Sequence, residues 1–473
     1  MNDDRTRNLI LAVLMVGAFI GSLLQSALTT ALPVIIHDLQ IMATTAQWLT
    51  TGYMLTTSIM IPATAFLHKR FSTRQLFLVP MSFFLAGLLI AAMAHTFPVL
   101  FFGRILQAVG YGVFSSMTQV IILTSFPPEK RGTAMGTFGI ASFAAPVFGP
   151  TLAGLLTDLI NWESIFWISL IVMAVDFLFA LKLINNISQP VKMPFDYFSM
   201  MLCAVGFSGV MLGISGFGTS GFSSPTVYLP IVVGLLALAA FSVRQLRSQN
   251  PFLNLRILKN KEYLVAVLLS CMLLGLMQSG IVLMPIYIQI VHGFSATISG
   301  MILIPGAVIL AVFSPIFGRA FDKYGIRTIA LCGFAVFTAS CLGMIFVDEH
   351  TPPLFIICMY ILRNSGVGMT MMPVFTWGMS KLDQESTVHG TALLNTLRSI
   401  SGPIFATVFV SVMTKASISF SGSNRTVANA YGIDRAFLGL TIVAALMFLI
   451  AVVFLKKKEE SKESKEAPEE NQN

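Results

Sequence analysis

Charge is what this chain has least of. Asp, Glu, Lys and Arg make up 11% of its 473 residues, against about 25% in a soluble globular domain. With 55% hydrophobic content and a mean hydropathy of +0.81, too little polar surface remains to cover a water-soluble fold, which excludes a soluble enzyme and a disordered chain. Cysteine is sparse too. Cys203, Cys271, Cys332, Cys341 and Cys358 each sit inside an apolar run, without the paired spacing of a disulfide scaffold or a metal site. The Gly-x-x-x-x-Gly-Lys-Ser/Thr pattern of a built-in ATPase motor is absent. No cofactor and no metal are expected.

Long apolar runs are what the chain does have. Crossing roughly 30 Å of hydrocarbon takes about 20 mostly apolar residues. Runs of that size fall at 8–34, 44–66, 75–95, 98–123, 133–158, 163–184, 197–217, 226–244, 262–290, 296–319, 327–347, 353–377, 388–414 and 434–455. The first is too long for a signal-peptide core and is kept as a mature helix. The prediction is an all-α membrane protein of 14 transmembrane helices, with both termini on one side.

The positive-inside rule names that side as cytoplasmic. Lys415, Arg425 and Arg435 then lie outside and Arg104, Arg363 and Arg398 within spans, leaving 23 of the 29 Lys and Arg on the cytoplasmic face. The net charge of +8 is therefore topology, and no nucleic-acid partner is expected. Residues 456–473 are charged and poor in apolar side chains, the composition of a disordered cytoplasmic tail.

The chain repeats itself. Pro62-Ala-Thr-Ala-Phe-Leu-His-Lys-Arg-Phe-Ser-Thr-Arg74 aligns with Pro315-Ile-Phe-Gly-Arg-Ala-Phe-Asp-Lys-Tyr-Gly-Ile-Arg327 at an offset of 253. Gly110-Tyr-Gly112 aligns with Gly366-Val-Gly368 at 256, and Pro33 with Pro285 at 252. One near-constant offset at three places predicts two six-helix halves and a two-helix insertion. The expected organisation is an N-terminal six-helix bundle over 1–190, two inserted transmembrane helices over 191–250, a C-terminal six-helix bundle over 251–455, and the tail. Duplicated halves imply a substrate cleft between them near the midplane.

These residues resemble the major facilitator superfamily, in particular its fourteen-span drug:proton antiporter branch of EmrB, QacA and LmrB-type exporters. The resemblance rests on Gly103-Arg-Ile-Leu-Gln-Ala-Val-Gly-Tyr-Gly112 and Ala145-Pro-Val-Phe-Gly-Pro-Thr-Leu-Ala-Gly154. It is supported by Lys130-Arg-Gly-Thr-Ala-Met-Gly136, Tyr287-Ile-Gln-Ile-Val-His-Gly293 and His389-Gly-Thr-Ala-Leu-Leu-Asn-Thr-Leu-Arg398. Gln47-Trp-Leu-Thr-Thr51 and Phe71-Ser-Thr-Arg74 lean toward the LmrB type. The resemblance implies a major facilitator fold and export by alternating access.

Arg104 is an intramembrane charge, so it is expected to face the bundle interior or water. Gln107, Tyr111, Ser115, Thr118 and Gln119 follow it at helical spacing, a polar stripe suited to an aqueous cleft. The family motif implies a proton-transfer role for Arg104; bonding to backbone carbonyls is the structural alternative. Expected substrate anchors are Gln25, Gln107, Tyr111, Ser115, Gln278, Tyr287, Gln289, Tyr360, Asn364 and Asn395, with Arg363 and Arg398 touching substrate or a gating partner.

Asp176 is the one carboxylate set away from the ends of the expected spans. A carboxyl held away from water favours its protonated form, the property a proton-coupling group uses. Many antiporters of the branch carry an Asp nine residues before the first span's closing Pro. Leu24 stands there, with Gln25 beside it, which leaves Asp176, Glu129 and Asp322 as proton candidates. Asp322 and Arg327 belong to the better copy of the repeated loop, expected to gate by capping a helix or pairing with an Arg across the seam. Gly149 and Pro150, in a Gly/Pro cluster, mark a flexible packing surface.

The expected function is multidrug efflux by proton antiport at the cell membrane, by a monomer, acting on small amphiphiles in the lipid bilayer. Export of lipids or fatty acids is the alternative. With three Arg and one Asp set away from the span ends, neutral, zwitterionic or anionic amphiphiles are expected over permanent dications.

Overall fold

In hydrocarbon every backbone N–H and C=O must be satisfied within its own segment, so apolar runs fold as helices. A computed structural model describes residues 4–184, 196–220, 224–248, 251, 253–294, 296–348, 350–420 and 425–455. The expected tail and the start of the expected insertion lie outside them. Fourteen long helices form among the described residues: α1 (Asp4–Asp38), α2 (Trp48–Arg70), α3 (Thr73–Ala92), α4 (Phe97–Ser125), α5 (Arg131–Leu159), α6 (Ser164–Leu183) and α7 (Tyr197–Ser220), then α8 (Pro225–Arg247), α9 (Lys261–Ile286), α10 (Ala296–Tyr324), α11 (Ile326–Gly343), α12 (Pro353–Ser380), α13 (Gln384–Ser419) and α14 (Arg425–Phe454).

The termini follow local chemistry. Ser72 and Gln75 close a capping box that starts α3, and Asn260 and Asp383 accept the first free amides of α9 and α13. Gly325, at φ 75°, makes the sharp turn from α10 into α11, a conformation that L side chains rarely adopt.

Among the described residues, twelve of the helices are long and apolar enough to cross a membrane. Of the two helices not counted, α2 carries Thr50, Thr51, Thr56, Thr57 and Ser58, polar residues that lower its hydropathy and serve the interior surface described below, while the described residues of α5 form no unbroken run long enough to be counted. A second correction concerns α14. It begins at Arg425, ahead of the expected 434, which moves Asp434 from the end of an expected span to the interior of a candidate one, so Asp176 is not the one carboxylate set away from span ends.

The helices pair in a repeating pattern. In the first six, α1 packs on α5 and α6, α4 on α2 and α3, and α3 on α6. Eight helices later α9 packs on α13 and α14, α12 on α10 and α11, and α11 on α14. The contacts that join the two sets are matched too: α5 on α10 against α2 on α13, and α5 on α12 against α4 on α13. The remaining pair, α7 and α8, pack on each other, and α7 also reaches α2 and α13.

Candidate functional site

Where the two sets of six meet, a cavity of about 310 Å³ opens. Ser22 and Gln25 of α1 and Tyr111, Ser115 and Gln119 of α4 reach it from one set. Gln278 of α9 and Asn395, Arg398 and Ser399 of α13 reach it from the other. The rest of the wall is soft and apolar, with Met54, Met211, Met372 and Phe138. Among the described residues lining it, Arg398 is the one charged side chain, and no carboxylate shares the wall.

The sets are bridged near the helix ends that adjoin the Lys/Arg-bearing loops. Asn395 Nδ2 donates to Gln119 Oε1 at 2.8 Å, across the cavity floor. Asp322, at the end of α10, accepts from the backbone N–H groups of Gly132 (2.8 Å) and Thr133 (2.7 Å) and from the Thr133 hydroxyl (2.6 Å). A carboxylate there satisfies amides that an N-terminus leaves free and meets the positive end of the α5 dipole. Of the two expected modes for Asp322, the cap is present.

The same seam admits almost no side chains. The Ser314 hydroxyl donates to the Gly136 carbonyl at 2.9 Å, and a Cβ added at Gly136 would lie 2.5 Å from the Ser314 carbonyl oxygen and 3.0 Å from Gly318 Cα. Beside it a cleft of about 920 Å³, lined in part by Glu129, Arg131, Lys261 and Asp322, faces outward from the basic ends.

A cleft shared by two similarly paired six-helix sets has relatives among known proteins. The Major Facilitator Superfamily model matches residues 14–407. The chain belongs to this superfamily. It is 38% identical to the uncharacterized MFS-type transporter YcnB of Bacillus subtilis over 450 residues, covering 95% of both chains. It is 36% identical to the lincomycin resistance protein LmrB of Bacillus subtilis over 458 residues, again covering 95% of both. The fold matches the human organic anion transporter MFSD10 with a TM-score of 0.65 at 13% identity, covering 95% of this chain and 100% of that one. The chain is a multi-span membrane transporter with drug-resistance relatives, and not an enzyme.

Within this transporter, Gln25, Tyr111, Ser115, Gln278, Asn395 and Arg398 of the expected residues share the cavity wall. Tyr111 is held by the Ser22 hydroxyl at 2.7 Å and stacks on Tyr53. The guanidinium of Arg398 lies beside Cys271, with Nε left without a hydrogen-bond partner.

The others sit elsewhere. Gln107 is fully buried one turn beyond the cavity, donating to the Gly87 carbonyl at 2.9 Å, so the polar stripe reaches water only at Tyr111, Ser115 and Gln119. Tyr287 donates to the Asp348 carbonyl at 2.8 Å at the far end of α9, and Gln289 is exposed. The Asp348 carboxyl itself is held below its ordinary range by the Thr351 hydroxyl and the His350 amide. Tyr360 and Asn364 press on Gly306 of α10. Arg363 donates to the carbonyls of Leu276 and Met277 and covers Gly280. Arg327 is exposed at the start of α11. Gly149 packs on Leu23 and Ser26 of α1, and Pro150 follows it within α5.

Arg104 is fully buried and off the cavity wall. It donates to Gln107 Oε1 (2.8 Å), the Leu24 carbonyl (3.4 Å) and the Leu49 carbonyl (3.5 Å), with its guanidinium 4.1 Å from the Tyr53 ring centre. One planar fork thus ties α1, α2 and α4 together. Lys has neither the fork nor the flat face, so Arg104→Lys is expected to destabilise the detergent-solubilised protein by about 2 kcal/mol. Thermal unfolding checks this; an unchanged midpoint would remove the tie.

Asp176 is buried on α6, its Oδ2 without a hydrogen-bond partner and 3.5 Å from where a Cβ on Gly17 of α1 would lie. It is not part of the cavity wall. Gln119, Ser22 and Met211 were not singled out from the sequence as anchors. Gln119 lay on the recognised stripe, but Met211 belongs to a helix outside both repeats and gave no signal among 26 Met.

Proposed function

We propose that this transporter exports lipophilic and amphiphilic compounds by proton antiport, its two six-helix sets rocking about the shared cavity. All fourteen helices then cross the bilayer, with both termini cytoplasmic and the bundles divided at 1–190, 191–250 and 251–455. The observation that carries the reading is the cavity itself: amide and hydroxyl anchors, thioether walls and Arg398 as the one charge. Such a wall stabilises neutral and anionic amphiphiles and offers no counter-charge to a dication. At about 310 Å³ it suits a drug-sized molecule better than a two-chain lipid, since ligand pockets run from about 300 to 1,000 Å³. Lincomycin, named for the relative LmrB, is a first compound to test.

The bridges at Asp322 and between Gln119 and Asn395 are the closed gate on the cytoplasmic side in this reading. Gly136 and Gly318 let that gate close without a clash, and Gly149 with Pro150 lets α5 flex. Arg363 and Arg327 take gate-side roles in the C-terminal bundle. A monomer suffices, because both walls of the cavity come from one chain.

Proton coupling falls to Asp176, whose unpartnered oxygen sits against α1; Arg104 acts on it through the position of α1. Asp176→Asn is expected to slow proton-driven efflux about a hundredfold, the lower end of what losing one positioned proton-transfer group costs, while counterflow exchange without a gradient persists. Equal rates with and without the substitution across a pH gradient would clear Asp176 of the role. The broader test is efflux from a drug-sensitive host with and without an uncoupler. Accumulation that rises with the uncoupler supports proton-driven export, and accumulation indifferent to expression of the chain sinks it.

A further inference from the structure

Two matched seams join the halves, and they are finished differently. The α5–α10 seam is closed by glycine backbones and the Asp322 cap. At the α2–α13 seam stands α7, which packs on both helices although it belongs to neither repeat. Its Met211 is half-buried and reaches the central cavity beside Met54 and Thr57. The Ser58 hydroxyl of α2 lies 3.8 Å from Met211 Sδ, donating to it.

The helix is held there firmly by its partner. A Cβ on Gly209 would lie 2.5 Å from the Pro230 carbonyl oxygen and 2.9 Å from Gly234 Cα, so α7 and α8 are in backbone contact and move as one piece. Interior contacts this tight do not stretch. Met211 is therefore presented to the cavity by a tightly paired hairpin that belongs to neither repeat and rests on both halves.

We propose that the inserted hairpin is part of the substrate site, and that Met211 is a specificity-determining residue which sets the length of apolar chain the cavity takes. The proposal rests on the efflux reading above. Arg398 and the amides hold the polar end of an amphiphile. The thioethers of Met54, Met211 and Met372, unbranched and polarizable, adapt to its apolar end. Met211 is the one of these carried by a helix that belongs to neither repeat, so its size changes chain-length preference without altering the gates.

The test uses the full chain in proteoliposomes and two fluorescent alkyl sulfonates that differ in chain length. Met211→Trp is expected to cut transport of the long-chain probe about tenfold relative to the short-chain one, the scale on which a hydrophobic pocket resolves a methylene. Met211→Leu restores the wild-type ratio. Loss of both probes in equal proportion, or of neither, overturns the proposal. Should Met211→Trp fail to insert, Met211→Cys in a background with the five native cysteines replaced by alanine is folded first and then alkylated with a bulky maleimide. The same change in ratio is expected, and an unchanged ratio contradicts it. A wild type that moves neither probe nor any other amphiphile would sink the efflux reading instead. In that event, protection of Met211→Cys from maleimide by the bound long-chain probe in detergent still decides whether α7 lines the site: protection supports it, and full labelling at saturating probe refutes it.

Discussion

Asp322→Ala is expected to lower efflux about a hundredfold while leaving the protein in the membrane at wild-type abundance. The carboxylate accepts three hydrogen bonds from Gly132 and Thr133 on the opposite half. Bonds to a charged acceptor contribute about 1.5–3 kcal/mol each and do not add fully, so about 3 kcal/mol for the set is a fair scale. At about 1.4 kcal/mol per decade, that shifts the population of the closed gate about a hundredfold. Alanine also leaves the two amides of the α5 N-terminus without an acceptor at this end. Asp322→Asn keeps one acceptor oxygen and loses the charge, so it should fall between the two. Transport rates on matched vesicles decide it; an alanine variant within about threefold of wild type would mean that the cap does not govern the gate.

Arg398→Glu should invert the charge preference. As the one charged side chain among the described residues of the wall, Arg398 sets the sign of the potential that a bound amphiphile meets. A unit charge about 5 Å away contributes about 3 kcal/mol at an effective dielectric constant near 20. Anionic probes such as anilinonaphthalene sulfonate should therefore lose about a hundredfold in apparent affinity, and monocationic dyes should gain. A neutral dye such as Nile red should change by no more than about threefold. Arg398→Gln, which removes the charge without reversing it, should weaken anions and leave cations unimproved. If anions and neutral dyes fall together in both variants, Arg398 holds the helices rather than the substrate.

The fold was legible in the sequence because lipid simplifies the code. Apolar runs have to be helices, and the offset between Pro62–Arg74 and Pro315–Arg327 announced the pairing pattern that α1–α6 and α9–α14 repeat. Composition spoke less clearly where a helix serves the interior. The polar face of α2 lowers its hydropathy because that face meets the cavity. Within the site, helical spacing placed Tyr111, Ser115 and Gln119 on one wall but could not say where water stops, and it included Gln107, which is locked to Arg104 and Gly87. Arg104 and Arg398 are alike in sequence, each a lone guanidinium at bilayer depth. Their difference is tertiary: carbonyls of two other helices enclose the first, whereas the second reaches the cavity. Met211 could not be found from either repeat, because its helix lies in neither.

Alternating access between the two halves can be observed directly by pulsed electron-spin distance measurement. Spin labels on Glu129 and Lys323, both exposed at the basic end of the α5–α10 seam, would be placed in a cysteine-free background that still transports. A short separation is expected for the gate as it stands here, joined under turnover by a second, clearly longer population that Asp322→Ala enriches. One unchanging separation in every condition, in a protein that continues to transport, would contradict a rocking mechanism about this seam.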